Sequence, residues 1–177
     1  NKALALKPDC ADTYYNMGTA LQEQGKLEEA IEAYNQALVL KPDYADAYNN
    51  MGITLQEQGK LEEAIKVFNN ALSIKPDYAD AYNNMGNALK EQGKLDKAIK
   101  AYKKALAIKP YYVEVHYNMG TALKKHGKLD KAIEAYTKAL AIKPDYADAY
   151  NNMGATLQEQ GKLEEAIEAY NKALAIK

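Results

Sequence analysis

Residues 45–78 read ADAYNNMGITLQEQGKLEEAIKVFNNALSIKPDY, and this stretch decides the fold because the chain repeats it. Pro8, Pro42, Pro76, Pro110 and Pro144 stand 34 residues apart, and so do Gly18, Gly52, Gly86, Gly120 and Gly154. Gly25, Gly59, Gly93, Gly127 and Gly161 keep the same interval, which accounts for all 5 prolines and all 10 glycines. A fixed period of this length marks supersecondary units that bury their apolar faces by stacking on one another. The blocks are 11–44, 45–78, 79–112, 113–146 and 147–177, preceded by a stub at 1–10 that reads as the tail of an earlier unit. Blocks two and five agree at 25 of 31 aligned positions, so chance is no rival explanation.

Each block predicts two helices. Tyr48, Met51, Gly52 and Leu55 share one face at helical spacing, and Leu61, Ala64, Ile65, Phe68, Ala71 and Leu72 share another. Gly59 lies between them, where a left-handed helix end carries no steric penalty for glycine. Pro76 ends the second helix, and Asp77, with an acid three residues on, resembles a capping box for the next first helix. Block four has Tyr111 in place of that Asp, which predicts a less firmly started helix, by about 1 kcal/mol.

The 34-residue spacing with small residues at fixed places resembles the tetratricopeptide repeat family over the whole chain. The matching residues in block two are Tyr48, Met51-Gly52, Leu55, Ala64, Phe68, Ala71 and Pro76. Departures are His116 in the Tyr48 column, and in block four Tyr117, where blocks two, three and five have Asn, and Lys125, where every other block has Glu. The resemblance implies an all-α solenoid of antiparallel helix pairs forming a right-handed superhelix, with first helices lining the concave side. It also implies close backbone approach at Gly52 and Ala64, and a role in binding other polypeptides. The chain opens on a helix tail (Asn1–Leu6) and stops at Lys177 without a polar capping repeat. That predicts a piece of a longer array, or ends that meet other copies.

The side of the block-two first helix opposite its core carries Asp46, Asn49, Asn50, Ile53, Gln56 and Glu57, whereas the second helix presents Glu62, Glu63, Lys66, Asn69 and Asn70. Amides offer a peptide main chain both donors and acceptors. Asn16, Asn50, Asn84, Asn118 and Asn152 recur in mid-helix, where Asn is roughly 0.6 kcal/mol worse than Ala. Asn49, Asn83 and Asn151 stand beside that column, Tyr15 and Tyr117 fill the same place in the other blocks, and Asn87 follows a turn later. This column is similar to the asparagine ladder in the repeat domain of O-linked N-acetylglucosamine transferases. These eleven residues are the candidate peptide-binding surface; the alternative reading bonds each Asn within its own or the neighbouring repeat and sets the stacking. The carboxylate clamp known in the family needs cations in two columns that here hold Tyr15, Asn49, Asn83, Tyr117, Asn151 and Thr19, Ile53, Asn87, Thr121, Ala155. A chaperone-clamp role is therefore not expected.

The charge is uneven. The five blocks carry −4, −2, +4, +2 and −2, and Lys90, Lys124 and Lys125 fall on the groove side. With a net charge of −1 and 23 basic residues that are all lysine, the chain as a whole offers no nucleic-acid footprint. No apolar run suits a bilayer, no leader pattern opens the chain, and the lone Cys10 fits a reducing, cytoplasmic setting. His116 falls in a core column, His126 at a helix end that suits a cation, and their ten-residue gap matches no helical metal pair. Ser73 shares its column with Ala and Val, adjacent Glu62 and Glu63 do not converge, and no phosphate loop exists among the glycines. The expectation is a module without catalysis, metal or cofactor that binds extended peptide or protein segments. Two alternatives stay open: a scaffold whose copies stack end to end, and the substrate-recognition part of a larger enzyme such as a glycosyltransferase.

Overall fold

The computed structural model describes residues 8–176 and contains ten helices and no strand among them. They are α1 (Pro8–Glu23), α2 (Leu27–Leu40), α3 (Ala45–Glu57), α4 (Leu61–Ile74), α5 (Ala79–Glu91), α6 (Leu95–Ile108), α7 (Val113–Lys125), α8 (Leu129–Ile142), α9 (Ala147–Glu159) and α10 (Leu163–Ala175). The expected helix tail at Asn1–Leu6 lies outside the described residues. Two compact units result: residues 1–92, holding α1 to α5, and residues 93–177, holding α6 to α10. The first is built from the pairs α1–α2 and α3–α4, with α2 on α3 and α4 on α5. The second holds the pairs α7–α8 and α9–α10, with α6 on α7 and α8 on α9. Both are all-α solenoid segments in which each helix packs on its chain neighbours.

The turn from first to second helix forms as the glycines predict. Gly59 has φ +75°, its N–H bonds the Gln56 carbonyl at 2.8 Å, and the Lys60 N–H bonds the Leu55 carbonyl at 2.9 Å. That pair of bonds is a Schellman closure, which requires a left-handed residue.

The turn back differs from the sequence reading. Tyr44, Tyr78, Tyr112 and Tyr146 occupy the N-cap positions, and none of the first helices they precede has a side-chain cap bond. The Asp residues are not the closing device. Instead the Tyr78 N–H donates to the Lys75 carbonyl at 3.2 Å while the Lys75 ammonium sits 4.5 Å from the Tyr78 ring. The same cation–ring contact holds Lys41 to Tyr44, Lys109 to Tyr112 and Lys143 to Tyr146. The helix after Tyr111 starts at the equivalent position: α7 has 13 residues, like α3, α5 and α9. Pro8 also departs from its column, opening α1, because a first-turn proline lacks only an N–H that would have no helical partner.

Gly52 is small for a different reason from the one the family pattern suggests. A Cβ there would come within 2.5 Å of the buried Phe68 ring, not of another backbone. Gly18, Gly120 and Gly154 face Tyr34, Tyr136 and Tyr170 in the same way. Phe68 is fully buried with Leu55, Ala64, Val67 and Ala88, flanked by Met51, Ile65 and Met85. Burying a ring of this size stabilises the fold by about 1.5–3 kcal/mol.

Candidate functional site

In each unit the first helices present one continuous polar face, and a side chain on it reaches the equivalent helix of the next repeat at an offset of 35 residues. Asn50 Nδ2 donates to Tyr15 Oη at 3.0 Å, Asn84 Nδ2 to Asn49 Oδ1 at 3.0 Å, and Asn152 Nδ2 to Tyr117 Oη at 2.7 Å. The asparagine column thus donates, and the column one residue earlier in the preceding repeat accepts, whether it is Asn or Tyr. Each such bond contributes about 1 kcal/mol net. The reading in which the ladder sets the stacking describes these three bonds.

The accepting side chains are built in. Tyr15 packs its ring 5.0 Å from Tyr44 and 6.1 Å from Tyr34, and Tyr117 repeats this with Tyr146 at 5.0 Å and Tyr136 at 6.0 Å. Burial raises the Tyr117 phenol above its ordinary value, the Asp148 charge adds to that, and the Asn152 bond opposes it. Asn49 is 5% exposed and Asn83 8%, so both lie inside the stack and not on an open wall. The physical reason is helical rotation: adjacent residues diverge by about 100°, and Asn49 and Asn50 cannot both face the same side. Asn49 Nδ2 donates to Asn50 Oδ1 at 3.2 Å, which ties the two columns together. Asn16 and Asn151 are exposed; Asn84, Asn87, Asn118 and Asn152 are half-buried.

A second set of inter-repeat contacts runs along the helix ends. Gln22 Nε2 donates to Glu57 Oε1 at 3.0 Å, Gln56 Nε2 to Glu91 Oε1 at 2.6 Å, and Lys124 Nζ pairs with Glu159 Oε1 at 2.9 Å. The sequence placed Gln56, Glu57 and Lys124 on this side; their pairing with Glu91 and Glu159 needed the 35-residue offset, which a 34-residue period conceals.

Between these two sets of contacts the face opens into hollows. One, of about 370 Å³ between α3 and α5, is lined by Ile53, Gln56, Glu57, Asn84, Asn87 and Glu91. The other, of about 470 Å³ between α7 and α9, is lined by Thr121, Lys124, Lys125, Tyr136, Asn152 and Glu159. The structure thus brings Asn84, Asn87 and Asn152 of the candidate residues to open hollows and draws Asn49 and Asn83 into the packing. Tyr136 Oη donates to Thr121 Oγ1 at 3.4 Å beneath the second hollow, and burial raises its phenol pKa.

Elsewhere the chemistry is structural. His116 is 7% exposed with Nε2 2.9 Å from the Pro110 carbonyl, and His126 Nε2 lies 2.8 Å from Asp96 Oδ1 at the end of α7. That contact lowers the Asp96 carboxyl below its usual range. Cys10 is exposed. Among the described residues no three His, Cys, Asp or Glu side chains converge as metal ligands, and no helix is long and apolar enough to cross a membrane.

Comparison with known proteins bears on this face. Among curated protein sequences none matches the chain. Family profiles described as TPR repeat or tetratricopeptide repeat match residues 18–59 and 122–161, 43–110, 147–177, 89–135 and 1–32, which together span the chain. The solved structure of MamA is similar at 30% identity and TM-score 0.83, over 89% of this chain and 92% of that one. YrrB, described as a TPR protein with an unusual peptide-binding site, is 27% identical with TM-score 0.76, over 93% of this chain and 84% of that one. PilF of Pseudomonas aeruginosa, at 22% identity and TM-score 0.86 over 96% and 77%, shares the fold. With its helix pairs, its glycine-closed turns and these matches along its whole length, the chain belongs to the tetratricopeptide repeat family.

Proposed function

We propose that the chain is a protein-interaction module that holds an extended peptide or protein segment along its first-helix face. The observation that carries this reading is the pair of hollows between successive first helices, each with a ladder asparagine in its wall. A carboxamide has two N–H donors, and the inter-repeat bond takes one, so Asn84 and Asn152 stabilise the stack and still offer polar contact to a main chain. With about 1 kcal/mol net per hydrogen bond and ordering costs opposing them, affinity falls in the micromolar range unless side chains add to it. The peptide-binding site named for YrrB supports the reading by likeness of fold.

The test fills the hollows and leaves the Asn84–Asn49 and Asn152–Tyr117 bonds in place. Asn87→Trp and Thr121→Trp each place a large side chain in one hollow. Each variant is expected to keep its helical circular dichroism and to weaken binding of peptides selected from an immobilised array by about tenfold, or 1.4 kcal/mol. Unaltered affinity in both folded variants removes this face as the binding surface.

One observation favours a second reading, in which copies stack end to end. On α10, Leu163, Ile167 and Leu174 are 54%, 59% and 81% exposed, whereas their counterparts Leu61, Ile65 and Leu72 on α4 are packed, Leu72 to 8%. Met17 on α1 is 45% exposed. Sedimentation across concentration decides it: a strict monomer at high concentration rules it out, and a dimer that Leu174→Glu dissolves supports it.

A further inference from the structure

We infer that the hollow between α7 and α9 selects an acidic side chain of the bound segment, with Lys125 as the residue that sets this preference. The inference rests on the peptide-binding reading above and names the chemistry of one subsite within it. The column that contains Lys125 otherwise holds Glu23, Glu57, Glu91 and Glu159, so a cation stands where every other repeat has a carboxylate. In the α3–α5 hollow the corresponding residues are Glu57 and Glu91, each held by a neutral glutamine amide, and no cation lines it. In the α7–α9 hollow two ammonium groups meet one carboxylate, and Lys124 is already paired to that carboxylate, Glu159, at 2.9 Å. Lys125 is exposed on the rim and makes no ion pair among the described residues, so its charge is available.

The remaining walls suit a carboxylate that enters from this rim. Asn152 sits with its amide directed to the phenol of Tyr117 on the same face, and Thr121 donates its hydroxyl to the Tyr117 carbonyl at 3.1 Å. Neither brings a second acid. Asp148 and Glu114 belong to the first turns of α9 and α7, and Glu159, already neutralised by Lys124, is the one acid of the lining. A carboxylate docked here meets one free cation in a partly shielded hollow. A contact of this kind is worth about 1 kcal/mol at low salt, or roughly a fivefold preference, and fades as salt screens it.

The experiment uses the full chain and blocked peptides taken from the same array, each paired with a copy in which one Glu is changed to Gln. Fluorescence anisotropy at low salt is expected to show the Glu peptide binding about fivefold tighter than its Gln partner, a gap that closes at high salt. Lys125→Glu, which restores the residue of the other repeats, is expected to reverse the order, and Lys125→Gln to abolish it. Equal binding of Glu and Gln peptides by the unaltered chain overturns the subsite while leaving the groove reading intact, and so does a preference that survives Lys125→Glu. Failure of every array peptide to bind overturns both.

Discussion

The hollow between α3 and α5 and the hollow between α7 and α9 share one frame and carry opposite character. Each is bounded by an inter-repeat bond from a ladder asparagine, at Asn84 in one and Asn152 in the other, and by a contact from the column of Gln56 or Lys124 to an acid 35 residues later. The frame is fixed by backbone periodicity, by rings packed on glycine and by the ladder bonds, and the other lining residues vary within it. In the α3–α5 hollow the variation leaves two carboxylates and no cation, and in the α7–α9 hollow two ammonium groups against one carboxylate. The imbalance extends to the units: residues 1–92 hold 8 lysines against 14 acids, a net −6, and residues 93–177 hold 15 against 10, a net +5. What the difference teaches is that a repeat protein keeps its fold in one set of columns and writes its chemistry in another.

If that separation is right, the largest effects come from the shared frame and are equal in the two regions. Gly52→Ala drives a Cβ to 2.5 Å from Phe68, and Gly120→Ala to 2.6 Å from Tyr136. The clash with a buried ring, about 1–3 kcal/mol, exceeds the roughly 1 kcal/mol of helix propensity that alanine restores. Urea unfolding is expected to show both variants destabilised to a similar degree; a stabilised variant breaks the comparison at its base.

A smaller effect separates the accepting side chains. Tyr15→Phe and Tyr117→Phe each leave a half-buried asparagine N–H without its partner, which costs about 1 kcal/mol. The loss is expected to be greater at Tyr117, whose bond is 2.7 Å against 3.0 Å. Chemical denaturation of the two variants side by side measures it, and no loss in either shows that the bonds do not hold the repeats.

Alkali probes the rings that support these acceptors. Burial favours the neutral phenol, so Tyr146 is pushed up to about 12, and Tyr44 and Tyr78 are raised too, first by burial and then by the nearby Asp12 and Asp46. A phenol raised in the folded state contributes stability that is complete below the unfolded value of about 10 and is lost as pH rises toward the folded one. For Tyr146 that window runs from pH ~10 to about 12. Ultraviolet titration is expected to show a set of ordinary tyrosines followed by a late group that ionises as the helices melt; a single transition near pH 10 removes the effect.

The smallest effect is at the surface. Lys124→Gln replaces the Lys124–Glu159 ion pair with the amide–carboxylate contact seen at Gln56 and Glu91, and is expected to change stability by less than about 0.5 kcal/mol. A larger change, read by thermal melting, shows that the hollow's charge also serves the fold.

The fold was legible in the sequence because period, glycine and proline placement all depend on backbone geometry that each repeat must satisfy alone. Gly59 at φ +75° is the plainest case. The site was legible only in part. Asn49 looked like a second open amide because it adjoins Asn50, yet one residue of helical rotation carries it into the packing. The Asp caps looked necessary because the pattern contains them, but a lysine stacked on tyrosine closes the turn instead. Gly52 looked like a backbone contact and proved to be the seat of the Phe68 ring. For Asn49 and Gly52 the role depends on packing against another helix, and for the turn on a local lysine–tyrosine contact; a one-dimensional period identifies neither.

The central claim is that the first-helix face binds through hollows left between bonded ladder residues. Side-chain amide resonances of the labelled protein, followed during titration with an array-selected peptide, test it most directly. The account predicts shifts at Asn84, Asn87 and Asn152, which line the hollows, and none at Asn69 and Asn70 on the exposed face of α4. Shifts confined to Asn69 and Asn70, with the hollow amides unmoved, contradict it.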